Sequence, residues 1–106
     1  MTYEETIELE ENIKLKNEAN EIYEMFLLNV ILEPKKYKSN GRFVFWEDSH
    51  NTTFIALKND KFVLECRFLH ESYDVEITPA SIFSGLKNKY RGIDHLKAYV
   101  RSASAG

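Results

Sequence analysis

Four consecutive segments in the middle of the chain are typical of antiparallel β-strands, and their apolar residues limit how the sheet can be covered. A strand with one face in water alternates apolar and polar residues. Tyr73 to Thr78 alternates in this way, whereas Phe43 to Trp46 and Phe54 to Leu57 do not. Part of the second sheet face is therefore expected to be covered by a helix of this chain, a second copy or a ligand. The predicted strands are Arg42 to Glu47, Thr52 to Lys58, Lys61 to His70 and Tyr73 to Thr78.

Composition favours one small folded domain. The chain has 106 residues, of which 43% are hydrophobic, and this suits a globular core better than a disordered acidic chain. We expect a single α+β domain over residues 1–101 and a frayed tail over residues 102–106. One cysteine can form no internal disulfide, and no segment matches a membrane span or a signal peptide. A reducing, cytoplasmic location is therefore the expectation.

The first third of the chain is predicted to be one long helix. Thr2 followed by Glu5 matches a capping box, and no glycine or proline interrupts the chain before Pro34. A helix from Tyr3 to about Asn29 would be ~40 Å long. That length exceeds the width of a compact domain of this size, so part of the helix is expected to break or to overhang.

Charge is unevenly distributed along the chain. Residues 1–30 hold eight glutamates and two lysines, whereas residues 31–106 carry a net charge of +3. If the long helix does not break near residues 12–17, its first turns extend past the body, and their glutamates make them an acidic arm. Its apolar stripe, continued backward, meets polar residues, so a sustained coiled-coil seam along it is not expected. The stripe consists of Leu15, Ala19, Ile22, Phe26 and Val30.

Two further helices are predicted after the sheet. Thr78 is a good N-cap because Pro79 follows it at the first helical position. Gly92 is expected to end this helix as a left-handed C-cap, and Asp94 to cap a second short helix. The apolar residues expected to face the core are Ile82, Phe83, Leu86 and Tyr90 in the first helix and Leu96, Tyr99 and Val100 in the second.

Turn chemistry predicts the register of the sheet. Two-residue turns are expected at Asn59-Asp60 and Glu71-Ser72, and a four-residue loop at Asp48 to Asn51. Arg67 then lies opposite Glu76 as a cross-strand ion pair. The predicted cross-strand pairs are Leu57 with Phe62, Ile55 with Leu64, Phe68 with Val75, Cys66 with Ile77, Val44 with Ile55 and Trp46 with Thr53.

This register divides the side chains of the sheet between two faces. Replacing Glu65 on the second face with alanine is expected to be near neutral. The predicted main-core face consists of Val44, Trp46, Ile55, Leu57, Phe62, Leu64, Cys66, Phe68, Val75 and Ile77. The predicted second face consists of Phe43, Phe45, Phe54, Ala56, Val63 and Leu69 with Lys58, Lys61, Glu65, Arg67, Asp74 and Glu76.

No catalytic motif is visible in the sequence. His50, His70 and His95 lack the spacing of metal ligands and are expected to be ordinary surface or rim residues. Nucleophile-elbow and glycine-rich phosphate-loop patterns are also missing. We therefore expect neither a cofactor nor a metal, and we favour a non-enzymatic protein, with a small enzyme of unrecognised site as a lesser alternative.

Two binding hypotheses remain. In the first, the second sheet face or an exposed helix contacts another protein, which makes the chain an adaptor, an inhibitor or a regulatory subunit, or a homodimer. In the second, the same face stacks single-stranded nucleic acid. The candidate interface residues are Phe43, Phe45, Phe54, Lys58, Lys61 and Arg67, and the candidate basic contacts are Lys35, Lys36, Lys38, Arg42, Lys87, Lys89 and Arg91.

A four-strand meander followed by a helix is similar in element order to PUR-type single-strand binders. That likeness is one of order only, and it supports the nucleic-acid hypothesis to that extent. We favour binding of a macromolecule, because small acidic chains without motifs act mostly through such contacts. A protein partner is placed before nucleic acid.

Overall fold

A four-stranded antiparallel meander packs one face against a layer of three helices. The computed structural model describes residues 2–37 and 41–105, and its α+β architecture confirms the predicted fold class. The strands lie side by side in chain order. The elements are α1 (Tyr3–Leu32), a short 3-10 turn (Pro34–Lys36), β1 (Arg42–Glu47), β2 (Thr52–Lys58), β3 (Lys61–Arg67), β4 (Ser72–Glu76), α2 (Pro79–Lys87) and α3 (Arg91–Ala105).

Helix α1 is continuous, and its first turns extend past the body. The Thr2 hydroxyl accepts the Glu5 backbone N–H at 3.2 Å, and the Glu5 carboxylate accepts the Thr2 N–H at 3.4 Å, which confirms the capping box. At 1.5 Å per residue the helix is ~45 Å long, close to the 49 Å longest dimension of the molecule. Every residue from 3 to 11 is exposed. The helix therefore overhangs and does not break near residues 12–17.

The core lies between the helix layer and one face of the sheet. Ala19, Ile22 and Phe26 are buried, as the apolar stripe of α1 predicts. Burying these side chains supplies the main driving force for docking α1 on the body. The rest of the buried cluster comprises Tyr37, Ile55, Leu64, Cys66, Phe68, Ile77, Ile82, Ile93, Leu96 and Val100.

Tyr37 ties the end of α1 to the sheet and to α3. Its ring lies 5.9 Å from the rings of Phe26 and Phe62, edge to face in both cases. Its hydroxyl lies 2.8 Å from the hydroxyl of Tyr99, and burial raises the pKa of the Tyr37 phenol. A buried hydroxyl needs such a partner because an unpaired one costs free energy.

The central hairpin forms as predicted. Asn59 and Asp60 have φ values of 52° and 63°, as a type I′ turn requires at both central positions. The turn pairs Leu57 with Phe62 and Ile55 with Leu64. The four-residue loop between β1 and β2 also forms. The Asp48 backbone N–H closes it by donating to the Asn51 carbonyl at 2.9 Å.

The predicted register between β3 and β4 is wrong. The chain reverses over Leu69 and His70, so Cys66 lies opposite Tyr73 and not Ile77, and Leu64 rather than Phe68 lies opposite Val75. The slip is an even number of residues, so every side chain keeps its predicted face. The observed register lets the Tyr73 hydroxyl accept the Gly92 backbone N–H at 3.0 Å.

The same slip separates Arg67 from Glu76. Arg67 lies opposite Ser72, and Glu76 lies opposite Val63. The predicted ion pair between Arg67 and Glu76 is therefore wrong. Arg67 instead pairs with Asp74 at 2.7 Å.

A β-bulge in β1 overturns the predicted facing of that strand. Trp46 lies opposite Thr53 as predicted, but Phe43 rather than Val44 lies opposite Ile55. The extra residue, Phe45, shifts the register by one and so exchanges the two faces on its N-terminal side. Phe43 and Phe45 consequently pack against the core, whereas Val44 is 46% exposed.

Helix α2 begins as predicted and ends differently. The Thr78 hydroxyl accepts the Ser81 N–H at 3.0 Å. Lys89, and not Gly92, takes the left-handed conformation after the helix, with φ of 57°. The Tyr90 N–H reaches the Gly85 carbonyl at 2.8 Å, which is the bond expected of a Schellman motif. Tyr90, predicted to be buried, is 48% exposed.

Helix α3 starts four residues earlier than predicted and runs into the tail. Arg91 is its first residue, so Asp94 lies within the first turn and is not the cap. The helix continues through the segment predicted to fray, as far as Ala105. Gly92 lies where α3 meets the sheet, and a Cβ there would be 2.2 Å from the Cys66 sulfur and 2.8 Å from the Tyr73 hydroxyl oxygen.

This close approach predicts a coupled effect of two substitutions. Gly92→Ala should lower the free energy of unfolding by about 1–3 kcal/mol, because the added methyl overpacks the core. Part of that loss should vanish in the Cys66→Ala background, where the sulfur is absent. Urea unfolding of both single variants and the double variant measures the coupling. Strictly additive losses would contradict the contact.

Candidate interaction surfaces

The side of the sheet that faces away from the helices is here called the outer sheet face. The sequence leaves open whether a helix of this chain, a second copy or a ligand covers this face. Helix α1 does not cover it, because α1 packs on the opposite side of the sheet, with the core. The bulge in β1 also removes two of the three phenylalanines predicted for this face. Its residues are Arg42, Val44, Glu47, Thr52, Phe54, Ala56, Lys58, Lys61, Val63, Glu65, Arg67, Ser72, Asp74 and Glu76.

Charged side chains of the sheet itself cover the centre of this face. The guanidinium groups of Arg42 and Arg67 lie 5.1 and 5.7 Å from the centroid of the Phe54 ring. Phe54 is only 6% exposed. Cations over an aromatic ring are attracted by its negative face while their stems exclude water. Phe54 is therefore shielded without a helix, a second copy or a ligand.

Glu65 holds these cations in place. Its carboxylate is 1% exposed and lies 2.7 Å from Lys58 Nζ, 3.4 Å from Arg67 Nη2 and 3.6 Å from Arg42 Nε. A carboxylate can be buried at this depth only when cations compensate its lost hydration. Glu65 Oε2 has no hydrogen-bond partner among the described residues. The sequence predicts a near-neutral effect for Glu65→Ala, but the burial of Glu65 now leads us to expect a loss of stability instead.

The predicted interface residues are thus divided between the two sides of the sheet. Lys58 and Arg67 meet over Phe54 on the outer sheet face, and Lys61 lies beside them opposite Lys58. Phe43 and Phe45 lie on the helix side, where their rings are 5.5 and 4.9 Å from Tyr99. The three phenylalanines therefore form no common platform.

The predicted basic contacts are also dispersed. Lys35 and Lys36 are exposed in the turn after α1, and Lys36 pairs with Glu33. Lys38 lies outside the described residues. Arg42 belongs to the outer sheet face, and the Arg91 guanidinium lies 5.2 Å from the Phe68 ring. Lys87 and Lys89 line a groove whose other wall carries Glu8 and Glu11 of α1.

Sequence reasoning missed a buried polar contact in the core. His95, predicted to be a surface or rim residue, is 9% exposed. Its Nδ1 lies 2.8 Å from the Thr53 hydroxyl, and its ring stacks on Trp46 at a centroid distance of 4.2 Å. The helical spacing from Gly92 to His95 and Tyr99 could have placed His95 on the inner face of α3.

A hydroxyl beside a histidine is also the arrangement of an activated nucleophile. Thr53 is fully buried, so its hydroxyl has no open path to a substrate. Within residues 2–37 and 41–105, no group of three or more metal-ligating side chains is close enough to hold a metal ion. The pair is therefore best explained as a satisfied polar contact in the core.

Most of the exposed large apolar side chains belong to α1. Of the twelve large apolar side chains that are exposed among the described residues, eight lie on this helix. Its last turns carry Leu28, Ile31 and Leu32, which are 50%, 73% and 69% exposed. The eight are Tyr3, Ile7, Leu9, Ile13, Leu27, Leu28, Ile31 and Leu32.

No helix in the described part of the chain is both long and apolar enough to cross a membrane. Comparison with protein-family models, with curated proteins and with solved structures gives no match to this chain. The proposed function therefore depends on the geometry of its surfaces.

The Glu65 cluster predicts that this carboxylate stabilises the fold. Glu65→Gln should lower the free energy of unfolding by about 1–3 kcal/mol, because it leaves Arg42, Lys58 and Arg67 without their shared anion. Glu76→Gln, an exposed position on the same face, should be near neutral. Equal urea midpoints for the two variants would show that the cluster contributes nothing.

The surroundings of His95 predict a dependence of stability on pH. Burial, and next the positive charge of Arg91, lower the pKa of His95 below its ordinary 6.5, although Asp94 and Asp48 oppose the shift. The unfolded chain therefore binds the proton first as pH falls. The contribution of neutral His95 is complete above the unfolded pKa and is lost as pH falls through the lower folded pKa.

Urea unfolding between pH 8 and about pH 5 measures this effect. The fall in unfolding free energy across that range should shrink in His95→Gln and persist in His70→Gln, whose histidine is exposed. An unchanged slope in His95→Gln would exclude His95 as its source.

Proposed function

We propose that the chain is a non-enzymatic protein-interaction domain, acting as an adaptor, inhibitor or regulatory subunit, and that α1 is its binding element. The observation that carries this proposal is the concentration of exposed aliphatic side chains on α1. Scattered apolar residues are normal on a protein surface, whereas a contiguous set on one element marks a contact site.

The C-terminal turns of α1 have the composition of an interface. Leu28, Ile31 and Leu32 form an apolar centre, and the neighbouring Glu24 and Glu33 provide a charged rim. A hydrophobic centre with a polar rim is the usual anatomy of protein interfaces. Ile22 and Phe26 hold the buried side of the helix against the body. A partner would therefore bind a preformed surface at little cost in conformational entropy.

The N-terminal overhang supports the same proposal. Residues 3–11 are all exposed, yet they include the large apolar residues Tyr3, Ile7 and Leu9. A helical segment of this length gains little stability from its own hydrogen bonds in water. Contact with a partner would bury these side chains and stabilise the overhanging turns.

The nucleic-acid alternative has weaker support. Three cations of the outer sheet face, Arg42, Lys58 and Arg67, are already paired with Glu65 or Asp74, and Phe54 is shielded. Stacking of bases needs an exposed aromatic face and uncompensated positive charge. We expect no tight binding of single-stranded oligonucleotides at low salt. Salt-sensitive binding that is lost in Arg42→Ala would favour this alternative instead.

Photo-crosslinking tests the protein-binding proposal. A p-benzoylphenylalanine at Leu32 should give a covalent adduct with one recurring protein chain in cells that express the full chain. The same probe at Leu69, which is 65% exposed on the β3–β4 loop, is the matched control and should give none. Equal adducts from the two positions would refute α1 as the binding element.

The recovered partner must then bind in a purified system. Leu28→Glu should weaken that binding by roughly thirtyfold or more, because it places a charge in the apolar centre. Glu76→Lys on the outer sheet face should leave the affinity unchanged. Mass spectrometry of the adduct also reveals whether the partner is a second copy of the chain or another protein.

A further inference from the structure

Helix α1 carries a second stripe of side chains that faces solvent. Its spacing of 4-3-4-4-3-4 keeps all seven positions within about 80° of the helix circumference. All seven residues are exposed, and the stripe lies about a third of a turn from the buried stripe. The residues of this solvent-facing stripe are Leu9, Ile13, Lys16, Asn20, Glu24, Leu27 and Ile31.

The chemistry of this stripe is symmetric about Asn20. Two aliphatic residues stand at each end, with exposures of 48% and 52% for Leu9 and Ile13 and of 36% and 73% for Leu27 and Ile31. Lys16 and Glu24 lie four residues on either side of the centre and carry opposite charges. A second stripe of the same kind, turned end to end, would therefore complement the first.

We infer that two copies of the chain associate through antiparallel α1 helices, with a twofold axis at Asn20. Leu9 then meets Ile31 of the second copy, and Ile13 meets Leu27. Each Lys16 meets Glu24 of the other chain, and the two Asn20 side chains meet each other. Such a contact is isologous and closes as a dimer, which is the commonest form of symmetric association. The inference rests on the proposed role of α1 as the binding element.

Electrostatics select the antiparallel arrangement. In a parallel pair each residue would face the same residue of the second chain, so Lys16 would oppose Lys16 and Glu24 would oppose Glu24. In the antiparallel pair both contacts join opposite charges. No described residue of the same chain forms an ion pair with Lys16 or Glu24, whereas Glu18 on the buried side pairs with Arg101 at 3.4 Å. Both charges are therefore available to a second copy.

The geometry of α1 permits this contact over its length. The stripe covers 22 residues in six steps, or about 3.7 residues per step, so nearly straight helices keep it in register. The buried stripe lies about a third of a turn from the contact, so the contact does not use the side chains that dock α1 on the body. Leu9 and Ile13 of the N-terminal half would gain partners, and a central asparagine pair fixes register in helical interfaces.

Charge reversal tests the dimer. The wild-type full chain should show concentration-dependent dimerisation in analytical ultracentrifugation. Lys16→Glu and Glu24→Lys should each weaken it by about tenfold or more, because each creates two like-charge contacts. The double variant K16E/E24K should restore it. The control double variant K14E/E21K, at exposed positions off the stripe, should dimerise like wild type.

Cysteine pairing tests the orientation. A mixture of Ile13→Cys and Leu27→Cys chains should form the mixed disulfide under mild oxidation, whereas neither variant alone should form its own. Cys66 is buried, and burial raises the pKa of its thiol to about 11, so it should not compete. Disulfides within each single variant would indicate a parallel pair and overturn the inference.

The outcomes separate this inference from the proposed function. A wild-type chain that stays monomeric at high concentration overturns the dimer, and so does a dimer that is insensitive to both single charge reversals. If the Leu32 probe nevertheless captures a different protein, α1 remains a binding element. Circular dichroism of every variant confirms that changes in mass do not come from unfolding.

Discussion

The one-residue bulge at Phe45 determines how the two faces of the sheet are used. Because of it, Phe43 and Phe45 both face the helices and contact Tyr99, and Trp46 stacks on His95 beyond the bulge. A regular strand would have sent two of these aromatic rings to the outer sheet face. The bulge thus concentrates aromatic side chains on one side, and the rest of the core is assembled around them.

On the outer sheet face, the aromatic ring of Phe54 is shielded from water in another way. It has no helix over it, and Phe54 is protected by the stems and charged groups of Arg42 and Arg67. The buried carboxylate of Glu65 holds those groups together with Lys58. These charges are paired with each other and Phe54 is buried beneath them, so this face presents fewer free charged and aromatic groups to a partner than its composition suggests.

Helix α1 contributes to the molecule in two ways. One stripe docks it on the body through Ala19, Ile22 and Phe26, and the remaining circumference carries eight of the twelve exposed large apolar side chains of the described residues. A helix about as long as the molecule cannot bury both its ends against a sheet of four short strands. Its exposed apolar residues therefore have no place within the monomer, and a contact outside the monomer would explain them.

Local features of the fold were predictable from the sequence. The capping boxes at Thr2 and Thr78, the turn at Asn59-Asp60 and the buried stripe of α1 all depend on residues within a few positions of one another. Local hydrogen bonds and helical periodicity determine them. The order of the elements followed from these signals.

Only the tertiary structure decided the bulge, the register of β4, the burial of His95 and the side of the sheet that α1 covers. Each depends on contacts between distant parts of the chain, such as Thr53 with His95 or Tyr73 with Gly92. A sheet can pair in several registers with similar local turns, and packing against the helices selects among them. The free energy that makes this selection comes from buried contacts that no short stretch of sequence contains.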